Sequence, residues 1–257
     1  MFGFVYEDSE IEKTQIEKYL NLSNSLTGLM ILSGGCTMFD ISKYFTGGKL
    51  ISVDFNLEQV NLVKNKINLL SKEPDKYNQF VSQINMPFDN LFVQIKNFEP
   101  FDKVFSTDNL ISQFGESAVI NTPDSFVEHF ESVYNNKSNL FYWNWIWNRD
   151  LNCKNINKEL LDNLEYIKKT DIVCGKFEDL LTSNTYDFIQ TSNLTDWMDI
   201  ETFDSFCVKL SNALKPGGIL IMRRLLSRNI LIEKFPDSIK LHDKTNFYKE
   251  TICYVKK

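Results

Sequence analysis

Apolar residues follow two rhythms along this chain. Short unbroken runs occur at Leu29–Ser33, Lys49–Asp54, Asp171–Cys174, Tyr186–Thr191 and Gly218–Leu225. Their length and their bounding Gly, Asp and Pro residues predict buried strands. Between them the apolar spacing is helical. Over 9–22, Ile11, Ile16, Tyr19 and Leu20 share a face, and over Leu57–Leu70 so do Val60, Val63, Ile67 and Leu70. Thr37–Phe45 predicts a short helix stopped by Gly47-Gly48. Phe177–Leu181 predicts another, and Ile200–Leu214 a long one that turns through Pro216-Gly217-Gly218 into the next strand. The tail, IKLHDKTNFYKETICYVKK, predicts a strand, a turn and a last alternating strand over Phe247–Val255. Strand and helix alternate as in a parallel α/β sheet.

The alternation breaks once. Residues 71–169 contain no obvious strand and look mostly helical. A structureless loop of that length is improbable inside a compact domain. The reading is one domain over 1–257, with a helical insertion over 71–169 serving as a lid or an acceptor pocket. The insertion contains an aromatic run, LFYWNWIWNRD, at 140–150.

Composition narrows the function classes. A 43% apolar and 24% charged chain supports a packed core. Its net charge of −6 argues against a broad nucleic-acid surface, although Arg223, Arg224 and Arg228 leave a local basic patch open. Five scattered cysteines with no CxxC spacing, and only two histidines, predict neither a metal site nor a disulfide framework. A reducing cytoplasm is the expected compartment. The beginning of the chain lacks signal-peptide character, and no run reaches the ~20 apolar residues of a membrane span.

The first strand ends in Ser33-Gly34-Gly35-Cys36, and Asp54 ends the second. Glycines there let a ligand approach the backbone, and an acid at the second strand tip accepts from ribose hydroxyls. The third glycine of the dinucleotide fingerprint is missing, which disfavours a pyrophosphate. A nucleoside ligand without phosphates, such as S-adenosylmethionine, fits better. The alternative is a plain turn and a helix cap. The polar loop after YDFIQ lies at the carboxyl edge of the sheet, where ligands of open α/β folds sit. This order of parts resembles the class I S-adenosylmethionine-dependent methyltransferase fold, a Rossmann-like sheet with an antiparallel last strand.

Five stretches together resemble the betaine-lipid-type, BtaA-like 3-amino-3-carboxypropyltransferases. They are VYEDSEIE, ILSGGCTMFD, VDFNLEQVNLVKNK, SNLTDWM with LKPGGILIMRR, and HDKTNFY. Within the third, Asp54, Asn56, Gln59, Leu62 and Lys66 match D-x-N-x-x-Q-x-x-L-x-x-x-K. In the insertion only FGESAV, Phe114–Val119, matches. The resemblance implies transfer of the 3-amino-3-carboxypropyl group of S-adenosylmethionine, with release of methylthioadenosine. The implied acceptor is a lipid hydroxyl such as diacylglycerol, or a small amine-bearing metabolite. An ordinary small-molecule methyltransferase is the alternative.

Roles follow on these terms. Ser33, Gly34, Gly35 and Cys36 wrap the methionine half of the cofactor, with Cys36 packing rather than reacting. Asp54 holds the ribose, and Asn56 and Gln59 reach the adenosine edge or cap and line the helix. Lys66 reads as a solvated or salt-bridged lysine. Glu7 and Asp8 match the family's acidic pair, which implies a partner for the amino group. Phe177 stacks on the adenine and Glu178 or Asp179 bonds it, since Lys176 stands where an acid is common. Ser192, Asn193, Asp196 and Trp197 lie on the loop after the fourth strand. Asp196 is the candidate general base or a grip on the substrate amine, against a loop-capping aspartate; Asp243 and Tyr248 from HDKTNFY are further catalytic candidates, with Tyr248 either donating to the acceptor or packing in the core of the last strand. Arg223 would bind a substrate carboxylate or stand as a surface arginine beside Arg224, and Trp143 and Trp147, which share a helical face, would line an acceptor pocket or pack in the core. The aromatic run leaves a transient, peripheral membrane contact open, and the sequence does not fix the oligomeric state.

Overall fold

The computed structural model describes residues 7–82, 108, 158–225, 229–244 and 248–257. Seven strands form one sheet: β1 (Thr27–Ile31), β2 (Lys49–Asp54), β3 (Asp171–Cys174), β4 (Tyr186–Gln190), β5 (Leu214–Arg224), β6 (Ile239–Lys240) and β7 (Glu250–Val255). Their order is β3-β2-β1-β4-β5-β7-β6. The first five are parallel, whereas β7 runs antiparallel to β5 and β6 antiparallel to β7. This is the expected α/β sheet with a reversed last strand. The chain winds outward from β1 through β2 to β3, then returns to β4 on the other side of β1. The crevice between the carboxyl ends of β1 and β4 is therefore the topological switch point.

Both faces of the sheet are covered, which is why its strands read as unbroken apolar runs rather than alternating ones. Met30, Phe188, Ile219, Ile221 and Cys253 pack into one layer. That layer includes residues of α1 (Glu10–Tyr19), α2 (Cys36–Ile41), α3 (Leu57–Lys72) and α6 (Leu164–Ile167). The neighbouring Leu29, Ile189, Leu220, Met222 and Ile252 point the other way, towards α7 (Ile200–Ala213) and α8 (Leu231–Lys234).

Local differences from the sequence reading have local causes. The helix after the glycine loop is α-helical only to Ile41 and continues as a 3₁₀ turn over Ser42–Phe45. The chain then crosses Leu26 at Gly48, where a Cβ would lie 1.9 Å from the Leu26 carbonyl oxygen. Strand β5 starts at Leu214 instead of Gly218. The PGG segment is absorbed as an irregularity, with the register against β4 shifting between Tyr186 and Phe188. Pro216 lacks the N–H a regular ladder needs, which fits such a bulge. The described ends of the 71–169 insertion are helical: α4 (Pro74–Ser82), α5 (Lys158–Asp162) and α6. The rest of it, including Trp143, Trp147 and FGESAV, lies outside the described residues.

Candidate functional site

The turn after β1 is held in an uncommon backbone shape. Ser33 has φ 43° and Gly35 has φ 83°, and Gly35 N–H closes the turn on the Leu32 carbonyl at 2.8 Å. A Cβ at Gly35 would sit 2.9 Å from Val63 Cγ1, so both conformation and space call for glycine. Behind this loop stands α3. Gln59 Nε2 donates to the Ser33 carbonyl at 2.7 Å, and Lys66 Nζ donates to the Gly34 carbonyl at 2.5 Å. Lys66 is fully buried, not the solvated lysine the spacing suggested. Two successive carbonyls of the strained loop are thus bonded from one helix face.

Asp54 ends β2 beside this loop. Its Oδ1 accepts from Asn56 N–H at 2.9 Å, and Asn56 Oδ1 caps α3 through Glu58 N–H. Burial raises the Asp54 carboxyl above its ordinary value, against bonds from the Asn56 and Ser33 backbone that pull it down. The next residue, Phe55, is 79% exposed, the most exposed large apolar side chain described. Sequence reasoning passed over it in favour of Phe177. Phe177 instead lies in the core, edge-on to Phe206 at 6.1 Å. Glu178 is half-buried and Asp179 exposed on the same turn.

At the switch point a second group converges. Glu7 Oε2 accepts from Thr37 Oγ1 at 2.7 Å and from Gln190 Nε2 at 2.8 Å. Arg223, on β5, reaches Glu12 of α1 through Nη1 at 2.5 Å and Nη2 at 3.1 Å, and Asp243 through Nε at 3.4 Å. Its Nη1 is 3.8 Å from Glu7. Burial alone would lower the Arg223 pKa, but the carboxylates of Glu12, Glu7 and Asp243 reverse this and hold it well above its ordinary value. Arg223 thus spends its described side-chain bonds within the protein, on the Glu12 and Asp243 carboxylates and the Asp8 backbone carbonyl. Arg224 is also buried and pairs with Glu250 at 2.7 Å. The two therefore form no exposed basic patch, and Arg228 lies outside the described residues. Asp8 holds the neighbouring segments together, accepting from Glu10 N–H and Lys244 N–H. Thr37, Gln190 and Glu12 were missed in the sequence. Their signals were present: Gln190 is a polar end to an apolar strand, and Glu12 falls in the buried arc beside Ile11 and Ile16.

Tyr248 lies over the Arg223 guanidinium, 5.6 Å from ring centre to Cζ. Burial, and then the charge of Glu7, push its hydroxyl well above the ordinary value, so it stays a protonated donor at neutral pH. Ser192 has φ 51° and accepts Arg223 N–H on its carbonyl. Asn193 Nδ2 donates to Asp196 at 2.9 Å, and Asp196 also accepts from Leu225 N–H at 2.9 Å. Those bonds brace the loops after β4 and β5 against each other. Trp197 ends the turn Leu194–Trp197, with its side chain outside the described set. Cys36 is buried behind the glycine loop, and His242 is exposed.

Two observations test the fit of the expected cofactor. The Gly34-Gly35 turn and Asp54 stand side by side at adjacent strand ends, as a nucleoside requires. Glu7 Oε1 and Gln190 Oε1 are buried without hydrogen-bond partners, and among the described residues Glu7, Glu12 and Asp243 gather around Arg223. A ligand with an adenosine body and a cationic end satisfies both. Among the described residues no group of three His, Cys, Asp or Glu side chains is placed to hold a metal ion, and no helix is long and apolar enough to cross a membrane.

Comparison with protein-family models gives no match, and comparison with curated proteins gives none. Among solved structures, the chain is similar to a proposed sarcosine dimethylglycine methyltransferase from Galdieria sulphuraria, with TM-score 0.39 and 10% identity. That likeness covers 87% of this chain and 54% of the other, so the chain spans about half that protein's length. It is also similar to a proposed S-adenosylmethionine dependent methyltransferase from Listeria monocytogenes, with TM-score 0.35 and 10% identity over 97% of this chain and 78% of that one. At that identity no activity transfers from either protein.

Proposed function

We propose that the protein is an S-adenosylmethionine-dependent transferase acting on a small-molecule acceptor. The observation that carries this is the placement of the strained Ser33–Cys36 turn beside Asp54 at neighbouring strand ends of a sheet ordered 3-2-1-4-5-7-6. Asp54 would accept from the ribose hydroxyls, and Phe55 would lay its exposed ring along the base. The backbone of Ser33 to Cys36 would line the methionine half, held in shape by Gln59 and Lys66. When bound, the cofactor supplies carbons made electrophilic by an adjacent sulfonium. The protein's share is then mainly positioning, which turns a bimolecular encounter into a near-unimolecular one.

Methyl transfer needs nothing beyond this cradle and is the first reading. Transfer of the 3-amino-3-carboxypropyl group is the second, favoured by the resemblance over five stretches. Its most specific motif has a structural occupation in this chain: Asn56 caps α3, while Gln59 and Lys66 bond the loop. The motif therefore speaks to loop architecture more than to the carbon transferred. The acceptor, whether a small metabolite or a lipid hydroxyl reached from a membrane surface, belongs to the same proposal.

Incubation with S-adenosylmethionine and a metabolite or lipid extract, followed by chromatography of nucleoside products, decides between the readings. S-adenosylhomocysteine supports methyl transfer, and methylthioadenosine the alternative. A chain that fails to bind S-adenosylmethionine at all overturns both.

A further inference from the structure

The sequence offers Cys36 no basic neighbour, and the fold supplies one. Lys66 Nζ lies 3.9 Å from Cys36 Sγ. The two side chains also share an acceptor. The Gly34 carbonyl oxygen takes the Lys66 bond at 2.5 Å and faces the Cys36 thiol at 4.0 Å. Thiol, amine and carbonyl thus form a triangle against the Ser33–Cys36 turn, and the Phe39 ring, 5.7 Å from Nζ, closes one side of it. Cysteines that react stand beside a cation and keep some surface open. Lys66 is fully buried, and Cys36 keeps 7% of its surface exposed next to the strand-end crevice. By contrast, burial pushes the Cys207 and Cys253 thiols up to about 12, which keeps them protonated at neutral pH.

A nitrogen 3.9 Å from sulfur stands close to attack geometry, about 3–3.5 Å between reacting atoms. We propose that Cys36 and Lys66 form an oxidative modification site, in which a peroxide leads to a direct sulfur–nitrogen bond that slackens the glycine turn. The thiol takes one oxygen from hydrogen peroxide and becomes a sulfenic acid, while the other oxygen leaves as water; sulfur is oxidised and the peroxide reduced. The Lys66 ammonium gives one proton to solvent, and the amine then attacks sulfur. A second water leaves, made of the sulfenic hydroxyl and one amine hydrogen, and a sulfenamide remains. A dithiol reverses the link by reducing it to thiol and amine. In the reduced protein an ammonium holds the Gly34 carbonyl. The link draws Nζ towards sulfur, removes its charge and leaves it one N–H, which weakens that bond. The effect on ligand binding rests on the cofactor reading, and the link itself does not.

The test treats the full chain with hydrogen peroxide, digests it with trypsin without reductant, and maps the peptides by mass spectrometry. The same samples are titrated with S-adenosylhomocysteine in a calorimeter. The expected product joins the Cys36 peptide to the Lys66 peptide, is lighter than their sum by two hydrogens, resists cleavage after Lys66 and separates in dithiothreitol. Cys207 and Cys253 stay unmodified in the same digest. Affinity for S-adenosylhomocysteine falls about fivefold or more on linking and returns with dithiothreitol. The C36A protein, whatever its own affinity, does not respond to peroxide. Cys36 that stays a thiol, or that passes to sulfinic acid without joining Lys66, overturns the site. A linked protein with unchanged affinity overturns the control of the turn. Reduced protein that binds no nucleoside overturns the cofactor reading alone, because the peptide map still reports the link and hydrogen exchange at the Gly35 amide still reports the turn.

Discussion

Replacing Asp54 with Asn separates what this side chain does for the fold from what it does for the ligand. In the folded protein the carboxyl sits above its ordinary value of 3.8, because burial outweighs the backbone bonds from Asn56 and Ser33. A carboxyl with a raised folded-state pKa favours its neutral form in the fold. Its contribution to stability is complete below about pH 4 and is lost as pH rises through the folded pKa. Asn keeps an oxygen for the Asn56 N–H and has no charge to desolvate. The D54N protein without ligand is therefore expected to melt at or above the wild-type temperature near neutral pH, and the difference shrinks towards about pH 4. Binding moves the other way. Hydrogen bonds to a charged acceptor are worth about 1.5–3 kcal/mol, so the loss raises the S-adenosylmethionine Kd roughly 10- to 150-fold at 1.4 kcal/mol per tenfold. Thermal melts across that pH range and calorimetric titration read the two effects on one sample. A folded variant with unchanged Kd refutes the ribose assignment. A variant that is much less stable at neutral pH shows that Asp54 is a turn brace whose charge the fold requires.

Three further substitutions probe the same architecture. F55A removes an exposed ring, so stability should hold within about 0.5 kcal/mol, whereas loss of a base-stacking partner weakens nucleoside binding by about 1–3 kcal/mol; equal affinity in titrations with methylthioadenosine would remove Phe55 from the site. K66M keeps the length of the side chain but strands the Gly34 carbonyl, so about 1–3 kcal/mol of stability should go in urea unfolding and cofactor affinity should fall with it; stability loss with unchanged affinity would show that the latch does not shape the binding loop. R223M leaves Glu7, Glu12 and Asp243 buried without their cation, with an expected cost of about 3–5 kcal/mol, part of which the R223M/E12Q double variant should recover; additive effects in that cycle would mean the two residues do not share one buried pair.

How much of this was legible from the sequence depended on whether the signal was local. Strands β1 to β4 were readable because each is a short apolar run between turn residues, and all four were expected within two residues of their observed ends. The order in which they pair was readable only through the resemblance of the whole succession of parts, since nothing within Leu29–Ser33 says that β1 lies between β2 and β4. The Gly34-Gly35 turn and Asp54 were legible for the same local reason. What escaped was long-range polar pairing. The sequence separates Arg223 from Glu12 by 211 positions, and a pair of adjacent arginines at a strand end reads as a surface pair until α1 is seen to cross β5 with Glu12 on its inner face. Lys66 escaped differently. Its place on α3, seven residues after Gln59, puts both side chains on the inner face two turns apart, so the period that identified the apolar stripe also identified the two polar positions within it. A lysine and a glutamine inside such a stripe need acceptors there, and the nearest backbone with carbonyls to offer was the glycine turn that the same helix packs against. The D-x-N-x-x-Q-x-x-L-x-x-x-K spacing thus follows from one physical requirement, a helix that caps itself, packs with Leu62 and fastens a strained loop. That requirement is the same whichever carbon of the cofactor is transferred, so the assay of nucleoside products, and not the spacing, has to choose between them.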